Sequence, residues 1–140
     1  MWGKLSRLSF VFALWAGAAR AEVPAPDQKA IQDVIAGQIE AFRRDDGDRA
    51  FAFATPELQA MFGSVERFMG MVRNGYQPVY RPREFVFGGA EDLGDAVQQE
   101  MPVIGPDGRA YVAVYTMERD AAGKWRIGGC RLVERVVPSS

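Results

Sequence analysis

The sequence predicts an α+β fold: N-terminal helices packed on a curved, four-stranded antiparallel meander. Three observations predict it. Apolar residues recur at helical spacing as far as Val72 and at a period of two after Glu84. The stretch Ala110 to Val133 reads as two long strands joined by a polar loop. Within its second strand the alternation changes phase, because Trp125 and Ile127 are odd-numbered inward candidates while Cys130 and Leu132 are even-numbered ones. One extra residue reconciles them, and Gly128-Gly129 is where a β-bulge fits. A bulge bends the strand, and a bent sheet can wrap a core.

Helices come first. Asp27 is placed to cap a helix that runs to about Arg44, with Ile31, Val34, Ile35, Ile39 and Phe42 on one stripe. Gln38 falls on that same stripe, either satisfied by backbone or hydrogen-bonding into a pocket. Asp45-Asp46-Gly47-Asp48 ends the helix. It lacks the alternating ligands and closing glutamate of a calcium loop, so it reads as a turn, with Asp48 capping the next helix. Thr55-Pro56-Glu57 and Ser64-Val65-Glu66 each open a further helix. The two prolines in Tyr76 to Pro82 predict an extended strap.

Strands follow at Glu84 to Phe87, at Ala96 to Ile104 and in the Ala110–Val133 pair. A four-residue Gly105–Gly108 loop would pair Val97 with Thr116, Gln99 with Val114 and Met101 with Val112. The core face then carries Val97, Met101, Val103, Val112, Val114, Thr116, Trp125, Ile127, Cys130 and Leu132, with Gln99 as its polar member. The opposite face carries Gln98, Glu100, Tyr111, Tyr115, Met117, Arg126 and Arg131. Solvent exposure and a homodimer contact through Tyr111, Tyr115 and Arg126 are both open for it.

Residues 1–21 follow another logic. Lys4 and Arg7 precede an apolar run from Leu8 to Ala19, and Ala19-Arg20-Ala21 closes it, which is the pattern of a secretory signal peptide cleaved after Ala21. The run is too short for a stable membrane anchor. A connector at 22–26 and one domain at 27–137 remain. Losing Lys4, Arg7 and Arg20 from 17 basic residues leaves 14 against 18 acidic, a net charge of −4. That balance argues against nucleic acid as a partner. Cys130 stands alone, so no internal disulfide forms, and it reads as a buried small apolar residue.

The segments IAGQIEAFRRDD, AFAFATPELQAMFG, FMGMVRNGYQPVYRP and WRIGGCRL resemble the bacterial family called domain of unknown function 4864, over about Ile31 to Val133. The helix-then-meander layout resembles the nuclear transport factor 2-like cone fold. These resemblances imply a cone and a periplasmic setting, and they supply no catalytic residue.

With no histidine in the chain, histidine-dependent dehydratase chemistry and Ser/His/Asp or Cys/His nucleophile systems are excluded. No carboxylate pair at ligand spacing suggests a metal, and no glycine-rich loop opening a helix suggests a phosphate cofactor. The expected function is a non-catalytic module binding a small apolar or amphipathic ligand in the cone. Gln38, Tyr76, Tyr80, Gln99 and Trp125 are its candidate ligand-binding residues. Two alternatives stand beside it: a protein-interaction or homodimerisation domain using the sheet face, and an isomerase- or cyclase-type enzyme with Tyr80 or Tyr115 as acid.

Overall fold

The computed structural model describes residues 22–136; the leader expected at 1–21 lies outside them. Helix α1, Ala25–Arg43, buries Ile31, Ile35, Ile39 and Phe42 along one stripe. It begins before the expected Asp27 cap. Pro24 occupies the cap position and Pro26 the first turn, where a missing N–H costs nothing, while Asp27 adds a favourable charge at the helix start. The preceding segment is packed down as well, with Val23 buried and its carbonyl accepting from Gln28 Nε2 at 2.7 Å.

Asp45 stops α1 in a left-handed conformation, φ 53°, which a short polar side chain tolerates. Helix α2, Gly47–Ala52, is capped by Asp46 and not by the expected Asp48; the Asp46 carboxylate accepts from Arg49 N at 3.1 Å. Helices α3, Pro56–Phe62, and α4, Val65–Gly75, are capped by Thr55 and Ser64 as expected, each side chain accepting from the N–H three residues on. The expected extended strap is instead a single helical turn, α5, Gln77–Tyr80. Its Pro78 sits in the first turn and Pro82 beyond the end, the two places where proline does not oppose a helix.

The sheet has five strands among the described residues, where four were expected: β1 Glu84–Phe85, β2 Ala90–Asp92, β3 Val97–Ile104, β4 Ala110–Arg119 and β5 Trp125–Glu134. All pair antiparallel in the order β1-β3-β4-β5, with β2 also on β3. The arrangement is consistent with a cone of the expected type. Splitting the first strand is the work of Gly88 and Gly89, which both face Glu100: Gly88 N donates to Glu100 O and Glu100 N to Gly89 O, each at 2.9 Å. Two residues opposite one make a bulge.

The expected bulge in β5 is present. Thr116 pairs with Gly129 and Met117 with Ile127, leaving Gly128 as the extra residue. Ile127 and Cys130 consequently line the same interior space. The backbone of Ile127 is also tied to the α2–α3 link, its N–H donating to Phe53 O at 2.8 Å and its carbonyl accepting from Thr55 N at 2.9 Å.

The β3–β4 register differs by one residue from expectation: Val97 pairs with Met117, Gln99 with Tyr115 and Met101 with Ala113. The loop holds five residues, closed by Gly105 N donating to Arg109 O at 2.9 Å. Gly108 at φ 83° supplies the left-handed residue that lengthens a type I turn. One step of slip exchanges the faces of β4. Ala113, Tyr115 and Met117 therefore point into the core, and Val112, Val114 and Thr116 lie on the other face.

Deleting Gly128 should cost at least about 3 kcal/mol, because it turns either Ile127 or Cys130 out of the core. Gly129→Ala, whose added Cβ meets nothing within 4 Å, should stay within about 1 kcal/mol of wild type. Urea denaturation compares them. A deletion no worse than the alanine variant would contradict the bulge.

Candidate functional site

Between the helices and β4–β5 the packing leaves a cavity of about 150 Å³. The buried side chains of Phe42, Phe68, Val72, Val79 and Ile127 form its floor, and the half-buried Leu58, Phe62, Met71, Tyr76 and Cys130 border its open side. A cavity of that size in an apolar interior holds a molecule such as benzene. No charged side chain enters the wall.

Four polar side chains do: Gln38, Tyr76, Tyr115 and Cys130. Two of them are engaged. Gln38 Nε2 donates to Ala50 O at 3.0 Å, so its amide is satisfied by backbone and still forms part of the wall. Tyr76 Oη donates to Cys130 O at 3.1 Å, bridging the helices to β5.

Tyr115 and Cys130 are direct partners across β4 and β5. Tyr115 is only 1% exposed, and its hydroxyl meets no oxygen or nitrogen partner, only the Cys130 thiol beside it. Burial, then the neighbouring Cys130 thiol, hold the phenol well above its ordinary pKa. Burial also pushes the thiol up to about 12, with the phenol opposing it weakly. Both groups are neutral at physiological pH, so the polar end of the cavity carries protons without charge.

Residues 24–139 match the family described as Domain of unknown function (DUF4864). The chain belongs to this family. No curated protein and no solved structure matches it. Among the described residues of this DUF4864 chain, no group of three or more His, Cys, Asp or Glu is placed to hold a metal ion. No described helix is long and apolar enough to cross a membrane.

Of the five candidate ligand-binding residues, the structure brings Gln38 and Tyr76 together at the cavity and places the other three elsewhere. Tyr80 turns away from it. Its hydroxyl donates to Asp45, its ring lies 4.0 Å from the Arg81 guanidinium, and Arg81 pairs with Asp45 at 3.0 Å. That hydroxyl, helped by Arg81 and Arg73, holds the Asp45 carboxyl below the usual range against a smaller effect of burial.

Gln99 is fully buried, yet it serves the β1–β2 bulge. Its Nε2 donates to Glu100 O at 2.9 Å, Gly88 O at 3.1 Å and Gly89 O at 3.4 Å, while its Oε1 has no partner. Gln38 and Gln99 do not bond each other, since each donates to backbone carbonyls of its own neighbourhood. Trp125 closes a separate polar hollow, where its ring lies under Arg119 at 4.5 Å and Arg119 pairs with Asp27 at 2.8 Å.

The register correction also removes the expected homodimer face. Tyr115 is in the core, and Tyr111 shares its face of β4 with its hydroxyl donating to Asp107 at 2.9 Å. Arg126 donates to Asp120 at 2.9 Å and to Ala52 O at 2.6 Å. The three do not form one exposed surface. For the same reason sequence reasoning leaves Tyr115 out of the ligand-binding set and names it only on the homodimer face and as an acid of the alternative enzyme. The signal that could have found it was Gly108, whose left-handed geometry adds a loop residue.

Gln99 and Tyr115 are cross-strand partners, and their truncation should have opposite signs. Gln99→Leu removes the side-chain donor to Gly88 O, while Gly89 O keeps the Glu100 N–H, and should destabilise by about 1 kcal/mol. Tyr115→Phe removes a hydroxyl whose only partner is the weakly bonding Cys130 thiol and should raise stability, by about 1 kcal/mol. Thermal unfolding reads both. A lowered melting temperature for Tyr115→Phe would show that the phenol is bonded after all.

Proposed function

We propose that this DUF4864 chain is an exported binding module, released into the periplasm by cleavage after Ala21, that holds a small apolar or amphipathic molecule in the helix–sheet cavity. The leader pattern supports the export. The observation that carries the binding is the cavity itself, a partly open apolar volume large enough for one ring or a short alkyl chain, with four polar side chains in its wall. An amphipathic ligand would bury its apolar end against Phe42, Phe68 and Val79 and set its polar end beside Tyr76, Tyr115 and Cys130.

Holding, rather than turnover, is what this wall supports. Its ionisable groups are Tyr76, Tyr115 and Cys130, and no carboxylate or basic side chain shares it to take or give a proton. The fold itself decides nothing about chemistry.

Native mass spectrometry of the protein recovered gently from the periplasm tests the reading. The expected spectrum shows the chain without its leader, carrying an added mass of small-molecule size. Met71→Trp, which extends a side chain at the open side into the cavity, should lose that mass while keeping its melting temperature. A ligand-free wild type, or a bound mass unchanged in Met71→Trp, would overturn it.

A further inference from the structure

Tyr115 Oη is sealed from solvent and meets no oxygen or nitrogen partner, only the weakly bonding Cys130 thiol beside it, an arrangement that native interiors rarely keep. The rest of the row across the sheet does not resolve it. On one side Gln99 turns its amide nitrogen to the bulge carbonyls, and its Oε1 is not engaged by Tyr115 either. On the other, Cys130 presents a protonated thiol, a weak donor and weak acceptor. The unfilled volume against Tyr115 is the cavity, and Cys130 stands in its wall as the movable neighbour, half-buried and turning about a single χ angle.

We propose that Tyr115 is the specificity residue of the cavity, and that the molecule it selects is a neutral, ring-sized hydrophobe carrying one hydrogen-bond acceptor such as a ketone, aldehyde or ester carbonyl. This rests on the reading of the cavity as a binding site. The apolar floor takes the ring, the Cys130 side chain turns aside, and the carbonyl oxygen accepts from Tyr115 Oη. A carboxylate is rejected, because the wall offers no cation and two neutral groups at the polar end. A pure hydrocarbon enters but leaves the hydroxyl unpaired. Selection between molecules of one shape therefore falls to a single hydroxyl, and phenol is well suited to it: burial keeps its proton in place as a donor.

The test titrates the protein with three probes of one outline, followed by NMR: acetophenone, isopropenylbenzene, in which a CH2 group replaces the carbonyl oxygen, and benzoate. Wild type should bind acetophenone roughly five- to tenfold more tightly than isopropenylbenzene, the worth of one net hydrogen bond. Benzoate should bind weakest. Tyr115→Phe should bind the first two equally and keep the affinity for isopropenylbenzene. The carbonyl stretch of bound acetophenone gives a readout that needs no variant, and it should lie below its position in an alkane solvent. Equal binding of the first two probes by wild type, or an unshifted stretch, would overturn the role of Tyr115 while leaving the cavity a binding site. Binding of none of the three would remove the binding reading and this inference with it.

Discussion

Two glycine bulges set the shape of this chain, and the more consequential is the single extra residue at Gly128. A strand without it cannot present both Ile127 and Cys130 to the helices, since a period of two puts them on opposite faces. With it, β5 turns its first half toward the α2–α3 link, where both backbone groups of Ile127 find partners in Phe53 and Thr55. The second half stays in register with β4 and carries Cys130 and Leu132 inward. The cavity lies where the bent strand and the helices diverge.

The bulge at Gly88-Gly89 acts on the other edge of β3 and brings a polar requirement with it. The Gly88 and Gly89 carbonyls turn toward Gln99, and Gly89 O already holds the Glu100 N–H. Gln99 meets them, which explains a fully buried amide on a strand whose other inward residues are Val97, Met101 and Val103. Its neighbour across the sheet has no such assignment. Tyr115 resembles Gln99 in burial and in position, and each keeps one polar atom unspent, Gln99 its Oε1 and Tyr115 its hydroxyl, but only Tyr115 borders the cavity. A hydroxyl left unpaired in the core costs stability, and sites kept for function carry costs of this kind.

Much of the fold was legible in the sequence because it rests on strong local patterns. The α1 stripe, the Thr55 and Ser64 caps and the β5 phase shift each follow from a few residues whose spacing has one physical reading. What was not legible turned on one residue at a time. The β4 faces exchanged because Gly108 lengthened a loop by one position. The strap became a helical turn because Pro78 fell in its first turn, where proline is tolerated. Gln38 and Tyr76 could be picked out as candidate wall residues, since one is a polar residue on an apolar stripe and the other lies just after α4. Tyr115 was legible only as an interface residue and as an acid of the alternative enzyme, because its face depended on a register that turns on Gly108 alone.

The account depends most on the cavity being a real, ligand-sized volume between Phe68, Val79 and Ile127, and xenon measures that directly. A crystal pressurised with the gas should show a xenon atom against those three side chains, with the ordinary packing around it undisturbed. Side chains of Leu58 and Met71 collapsed into that space, with no xenon bound there, would contradict it.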